Sequence, residues 1–305
     1  MAKIVFFGNE RLATGVTTTA PTLRALLAEG YEVAAVVSHH EAATSRKQRS
    51  LEIADVAQQH GIPVLLPDKP SEILEQLESF GAEIGVLAAY GKIVPQRIID
   101  VFPKGIINIH PSALPKHRGP TPLESVILAG ETQTAVSVME LVKAMDAGPV
   151  YLQREVTLLG TESKQVLADK LLAIGSELII EALPRVLDGS LTPAEQKDDE
   201  ATYDKLIEKS DGRIDWTKPA TQLEREVRAY AGWPKSTATL HGIDVVITKA
   251  TTSDEQGEPG SIKVTDKKLF VCCGDGALEI ERLIPAGKQE TDAVSFLNGY
   301  GKHFS

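Results

Sequence analysis

Three polar residues in the first half of the chain have types and positions that suit acyl transfer. Asn108 and His110 lie two residues apart at the end of an apolar run, and residues two apart on a strand share a face. Pro111 ends that run, because proline has no N–H for a β-ladder. Asp146 lies in a turn further along. In acyl transfer, the oxyanion of the tetrahedral intermediate needs a hydrogen-bond donor, which an amide or an imidazolium can supply. An attacking amine must also lose a proton to a base. The three residues together therefore indicate acyl transfer to an amine.

Spacing alone leaves a structural alternative open. An Asn two residues before a His is often a hydrogen-bonded polar pair, and an Asp in a turn often serves the turn itself. The catalytic interpretation gains from the carboxylate, which would orient a nearby imidazole and raise its pKa. This chemistry requires no nucleophilic serine or cysteine, and none is placed as one.

Short apolar runs that alternate with helical segments predict a doubly wound, mostly parallel α/β sheet as the first domain. Two later strands, Gln133–Leu141 and Pro149–Val156, are joined by a short connection and should be antiparallel. Ligands of such sheets bind at the carboxyl ends of the strands, where Asn108 and His110 fall. A G-x-G-x-x-G fingerprint is missing from the first turn, which argues against a dinucleotide cofactor.

The last third of the chain has a different pattern. Five short strands between Ser236 and Leu283, separated by turn residues, predict a small OB-like β-barrel. We expect a catalytic domain over residues 1–189, a polar linker over 190–204 and a barrel domain over 205–305.

Composition excludes several classes of protein. The chain has 305 residues, 42% of them hydrophobic, and a net charge of −10, so it is not a general polyanion binder. Its two cysteines, Cys272 and Cys273, are adjacent and cannot form an ordinary disulfide, and no Cys/His cluster has zinc spacing. Apolar runs long enough for a membrane span are missing, as is a secretory signal. We therefore expect a cytoplasmic protein without a metal site.

The segment INIHPSALPKHRG at 107–119 resembles the signature loop of enzymes that use 10-formyltetrahydrofolate as formyl donor. The turn MDAG at 145–148 is similar to the acidic turn of that family, and AYGKIVP at 89–95 to its folate-side segment. The resemblance implies that Asn108 and His110 stabilise the tetrahedral intermediate and that Asp146 assists His110 and the proton relay. It also implies a folate site lined by Tyr90, Gly91, Lys92, Ile93, Ser112, Ala113, Leu114 and Pro115.

Branches of this family differ in their acceptor. Enzymes that formylate glycinamide ribonucleotide end near residue 200 of a chain like this one, which leaves the last third unexplained. The branch that formylates methionyl initiator tRNA has a linker and a C-terminal barrel, and its pattern resembles Arg213–Trp216 and Trp233-Pro234 here. The resemblance implies a monomeric enzyme with this acceptor, acting in translation initiation.

Two alternatives remain open. Enzymes that formylate an amino sugar nucleotide share the RIDW and WP elements, so these two motifs do not decide the acceptor. The same fold could also serve a non-catalytic folate or RNA binder.

The segment His39–Ser50 departs from the family pattern, which usually carries PDRPAGRGKK at this place. In the tRNA branch this loop contacts the acceptor stem. The resemblance therefore implies acceptor contacts from Arg46, Lys47 and Arg49, with Asn9 in the preceding loop as a further contact. A solvated polar loop is the alternative. Phosphate contacts dominate affinity for nucleic acid, so a basic face on the barrel would be expected as well.

Overall fold

The structure is a computed structural model that describes residues 2–10, 14–39 and 51–300. The chain divides into two compact units. The first unit comprises Met1–Pro122, Gln133–Leu158 and Val166–Lys205, and the second comprises Leu123–Thr132, Leu159–Gln165 and Leu206–Ser305.

A seven-stranded sheet forms the centre of the first unit. Its strands are β1 (Lys3–Gly8), β2 (Glu32–Val37), β3 (Val64–Leu65), β4 (Ile84–Ala88), β5 (Ile106–His110), β6 (Gln133–Glu140) and β7 (Val150–Thr157). The strand order is β3-β2-β1-β4-β5-β6-β7. Strands β1 to β5 pair in parallel, whereas β6 is antiparallel to both β5 and β7. The predicted doubly wound, mostly parallel sheet and its antiparallel pair are confirmed.

Helices accompany this sheet in an alternating βα pattern. They are α1 (Pro21–Ala28), α2 (Glu52–Gln59), α3 (Leu74–Phe80), α4 (Gln96–Ile99) and α6 (Lys164–Leu187), whereas α5 (Pro122–Ala129) falls in the second unit from Leu123 onwards. Helix α6 buries Leu167, Leu171 and Leu178 at helical spacing, as its apolar periodicity predicts. Pro184 lies within its last turn without ending it early.

The strand order places the change of direction between β1 and β4, which is the position where open α/β sheets form ligand crevices. The strands there are buried on both faces, because helices cover each side of a parallel sheet. Asn9, Tyr90 and His110 lie at the carboxyl ends of β1, β4 and β5. The fold thus brings the predicted site segments to one edge.

The second unit contains an antiparallel sheet. Helix α7 (Ala220–Ala229) precedes strands β8 (Ser236–Leu240), β9 (Ile243–Ser253), β10 (Ile262–Thr265), β11 (Lys268–Cys272), β12 (Ala277–Pro285) and β13 (Thr291–Asp292), and helix α8 (Ala293–Tyr300) follows them. The order is β10-β11-β12-β9-β8, with β13 paired to β12. Its core includes Leu223, Leu269 and Phe296, all buried. Among the described residues, no helix is both long and apolar enough to cross a bilayer.

Candidate active site

Strand β5 positions two of the predicted catalytic residues. Asn108 and His110 project from the same face and are only 7% and 5% exposed. In the pairing with β6, Asn108 lies opposite Met139 and His110 opposite Ser137. Both residues are therefore held by regular ladder pairing in the sheet, so the backbone that carries them is rigid.

The hydrogen bonds of His110 define which ring nitrogen is available for chemistry. His110 Nε2 lies 2.8 Å from the carbonyl oxygen of His117. A carbonyl can only accept, so Nε2 carries a proton. The other nitrogen, Nδ1, lies 3.8 Å from Asp146 Oδ2. That distance is too long for a hydrogen bond, so Nδ1 keeps its capacity for a substrate.

Asp146 is fixed by a turn and by the loop that follows β5. Its backbone is left-handed, with φ +48°. The backbone N–H of Gly119 donates to Asp146 Oδ2 at 2.7 Å. A Cβ at Gly148 would collide with the carbonyl oxygen of Glu140, so this close approach of the turn to β6 requires glycine. The carboxylate is thereby aimed towards His110.

The Asn108 side chain makes no hydrogen bond with any other residue in the part of the chain that the structure describes. The amide nitrogen and oxygen are not fully buried, so they stay open to water or to a bound molecule. An amide N–H₂ in this position is a donor available to a negatively charged oxygen of a substrate. Of the three predicted catalytic residues, His110 and Asp146 lie together, and Asn108 shares the strand face of His110.

The loop after β5 contains four predicted folate residues, and it is firmly held. Ser112 is fully buried, and its hydroxyl donates to the carbonyl oxygen of Lys116 at 2.7 Å. Gln153 of β7 donates to the carbonyl oxygen of Leu114 at 3.0 Å. Leu114 is joined to Pro115 by a cis peptide bond, and Ala113 accepts a backbone hydrogen bond from Lys116. The side chain of Ser112 is thus engaged within the loop.

The other predicted folate segment, at the end of β4, has a buried and an exposed part. The Tyr90 ring is 1% exposed and packs edge-on against Phe7, with ring centroids 5.7 Å apart. Burial raises the pKa of Tyr90 to about 12. Lys92 Nζ donates to two carbonyl oxygens in the loop after β3, and the Ile93 side chain is 86% exposed. The Tyr90 ring therefore belongs to the core, whereas the side chain of Ile93 faces solvent.

One predicted acceptor contact can be located and three cannot. Asn9 is buried beside His39, with 3.0 Å between Asn9 Nδ2 and His39 Nε2. His39 Nε2 also lies 2.7 Å from the carbonyl oxygen of Tyr90. These contacts join the ends of β1, β2 and β4. Arg46, Lys47 and Arg49 lie outside the described residues.

A contact between the loop after β5 and residues 196–204 has no counterpart in the sequence interpretation. Arg118 is 1% exposed, and its guanidinium donates to Gln196, Asp198 and Tyr203. The sequence analysis assigns residues 196–204 to a linker, because polar residues and a proline are typical of one. The one sequence signal for this contact is Arg118 itself, a charged residue within the loop after β5.

Comparison with known families covers both units of the chain. The family described as "Formyl transferase" matches residues 2–183, and "Formyl transferase, C-terminal domain" matches residues 206–301. The chain belongs to the formyl transferase family. It is therefore a formyltransferase, and the donor of this family is formyl-tetrahydrofolate.

Two relatives and one solved structure illustrate this likeness. A methionyl-tRNA formyltransferase of Enterococcus faecalis is 35% identical and covers 99% of this chain and 97% of its own. One of Methylococcus capsulatus is 38% identical, with 98% and 97% covered. The N-formyltransferase of Helicobacter canadensis, solved with folinic acid and dTDP-3-aminofucose, has a TM-score of 0.68. It is 17% identical and covers 92% of this chain and 99% of its own, so this similarity concerns the fold.

Proposed function

We propose that this formyltransferase moves a formyl group from 10-formyltetrahydrofolate to the α-amine of methionyl initiator tRNA, the reaction that prepares the first residue for translation initiation. The observation that carries the proposal is the full-length similarity to methionyl-tRNA formyltransferases at 35–38% identity. Similarity extends through the C-terminal domain, which an enzyme limited to the first domain would not need.

In the proposed reaction, the methionyl amine attacks the formyl carbon of the donor. A tetrahedral intermediate with an oxyanion forms, and the bond from that carbon to N10 then breaks. The amine loses a proton, and N10 of the departing tetrahydrofolate gains one. The formyl group is thus transferred without a covalent enzyme intermediate.

Each of the three site residues has a distinct role in this proposal. The Asn108 amide donates to the oxyanion, which its lack of an internal partner supports. His110, with Nε2 engaged by a carbonyl, meets the oxyanion through a protonated Nδ1. The carboxylate of Asp146 stabilises that imidazolium and assists removal of the amine proton.

The remaining assignments complete the proposal. Residues 90–93 and 112–115 line the folate site, and Asn9, Arg46, Lys47 and Arg49 contact the acceptor. Residues 1–189 form the donor-binding domain, 190–204 a linker, and 205–305 a domain that helps to bind tRNA. The enzyme acts as a monomer in the cytoplasm and needs no metal ion.

An amino sugar nucleotide is the alternative acceptor. The Helicobacter canadensis enzyme supports only a shared fold, since its identity with this chain is 17%. The test is incubation with 10-formyltetrahydrofolate and either charged initiator tRNA or amino-sugar nucleotides, followed by mass analysis of each acceptor. A gain of one formyl group on the methionyl residue supports the proposal, and formylation of the sugar alone contradicts it. Formylation of neither acceptor would also contradict the proposal and point to a different amine as the acceptor.

A further inference from the structure

The segment 196–204 lies along the loop after β5 and makes hydrogen bonds with it at several points. The backbone N–H of Arg118 donates to Thr202 O at 2.9 Å, and that of His117 to Thr202 Oγ1 at 2.8 Å. His117 Nδ1 lies 3.0 Å from Asp204 Oδ1. We call residues 196–204 the strap. All of these contacts lie within the first unit.

Gln196 is the residue of the strap that also reaches the turn of Asp146. Its Nε2 donates to the carbonyl oxygen of Asp146 at 2.8 Å and to that of Gly148 at 2.7 Å. Its Oε1 accepts from Arg118 Nε at 3.0 Å. Both hydrogens and the oxygen of one amide are therefore used, and the orientation of the amide is fully determined by its three partners.

These hydrogen bonds form a closed ring that includes Asp146. The carboxylate of Asp146 accepts a hydrogen bond from the backbone N–H of Gly119, and Gly119 follows Arg118 in the chain. Arg118 holds Gln196, and Gln196 returns to the carbonyl oxygen of Asp146. The same stretch supplies the His117 carbonyl that accepts from His110.

Arg118 is suited to this position by burial and charge. Its guanidinium is 1% exposed and also contacts Asp198 at 2.8 Å and the Tyr203 hydroxyl at 2.8 Å. A planar guanidinium fixes several acceptors in one geometry, which a flexible ammonium group does not do. Gln196 is therefore hydrogen-bonded to a buried, charged side chain on one side and to the turn of Asp146 on the other.

We propose that Gln196 is a positioning residue of the formyl-transfer centre, which sets the distance between Asp146 and His110 through its contacts with Asp146, Gly148 and Arg118. The inference rests on the catalytic roles proposed for Asp146 and His110. Asp146 is in a left-handed conformation, which is sparsely populated even for aspartate, so hydrogen bonds to the turn help to hold it there. The 3.8 Å gap between the pair lets a small shift of this turn change the reaction geometry.

The first test is the variant Gln196→Leu, assayed with 10-formyltetrahydrofolate and charged initiator tRNA. A misplacement of about 1 Å can cost about 100-fold in rate, so we expect kcat to fall about 10- to 100-fold. The KM for the donor should stay within about 2-fold, because Gln196 does not lie in a predicted folate segment. Gln196→Glu, which keeps the size but turns an oxygen towards two carbonyl oxygens, should show a similar loss.

A double-mutant cycle distinguishes positioning from general stability. Once Asp146→Asn has removed the carboxylate, adding Gln196→Leu should lower the rate by less than about 3-fold, since the group it positions is already lost. Lys197→Leu is the matched control: Lys197 lies next to Gln196, is exposed and pairs with Glu200 at the surface. We expect it to leave kcat unchanged.

Three results would overturn the inference. Unchanged kcat in folded Gln196→Leu and Gln196→Glu would remove the positioning role alone. Multiplicative losses in the double mutant would show that Gln196 acts independently of Asp146. If Asp146→Asn by itself left the rate unchanged, the proposed catalytic site would fail first, and the inference with it.

Discussion

Two buried pairs of acidic and basic side chains in this chain are arranged in different ways. In the first unit, His110 and Asp146 lie 3.8 Å apart and are held separately by the loop that follows β5. In the second unit, Lys164 and Glu124 lie in direct contact at 3.1 Å, and each side chain is 1% exposed. The acid and the base are thus in direct contact in the second pair, and they are separated in the first pair.

The surroundings of Lys164 fit a structural role. Lys164 Nζ also donates to the carbonyl oxygen of Trp233 at 3.0 Å. Burial lowers the pKa of Lys164, and the nearby Glu124 carboxylate opposes this shift. A charge so far from water is tolerated only with a partner, so this pair fixes local packing in the second unit.

The comparison shows how burial alone fails to identify a catalytic group. Both pairs are buried and both combine an acid with a base. They differ in contact: Lys164 and Glu124 are close enough for a direct ion pair, whereas His110 Nδ1 lies 3.8 Å from Asp146 and makes no hydrogen bond in the described part of the chain. We therefore expect changes in the His110–Asp146 pair to affect mainly activity and changes in the Lys164–Glu124 pair to affect mainly stability.

The largest expected effect is the loss of activity in His110→Ala. Removal of the imidazole should lower the rate of formyl transfer by about 10³-fold, in the range typical of a positioned acid or base. The free energy of unfolding should fall by about 1–3 kcal/mol, because a buried ring is removed and the carbonyl oxygen of His117 loses its donor. Rapid-mixing kinetics and thermal unfolding measure the two quantities. Retention of more than a tenth of the rate would show that His110 is no part of the reaction.

The second largest effect is expected on stability, when Lys164 is replaced by methionine. This change leaves the Glu124 carboxylate buried without its partner, so the free energy of unfolding should fall by about 3–5 kcal/mol. Adding Glu124→Leu should recover most of that loss. Denaturant titration measures both, with the exposed Lys170→Met of the same helix as a control that stays within about 0.5 kcal/mol. A fall in activity without a fall in stability would contradict the structural role.

The smallest effect is expected for Tyr90→Phe. This variant tests whether the Tyr90 side chain belongs to the core or contacts the folate. The hydroxyl is buried and has no hydrogen-bond partner among the described residues, so its removal should change stability by less than about 1 kcal/mol. Because the ring packs against Phe7 in the core, the KM for the formyl donor should stay the same. Steady-state kinetics with varied donor test this, and a several-fold rise in KM would place the hydroxyl against the folate.

The parts of the site that depend on local pattern could be predicted from the sequence. Period-two spacing placed Asn108 and His110 on one face, and Pro111 marked the end of the strand. The short connection between β6 and β7 indicated their antiparallel pairing.

Contacts between distant segments could not be predicted in this way. Gln196 reaches the turn of Asp146 across 50 positions of sequence, and nothing in a polar stretch separates an anchored strap from a solvated linker. The resemblance implies that Tyr90 belongs to a folate-lining segment, and the structure adds that its ring lies in the core. A motif fixes the path of the main chain and not the direction of each side chain.

The central claim is tested most directly by the single-turnover rate of Asn108→Ala with 10-formyltetrahydrofolate and charged initiator tRNA. The amide has no hydrogen-bond partner in the described part of the chain, so its loss should leave the free energy of unfolding within about 1 kcal/mol of the original. As a donor to the oxyanion, it should contribute about 10²- to 10³-fold to the rate of the chemical step. We predict a loss of that size in a stable, folded protein, and an unchanged single-turnover rate would contradict formyl transfer at this site.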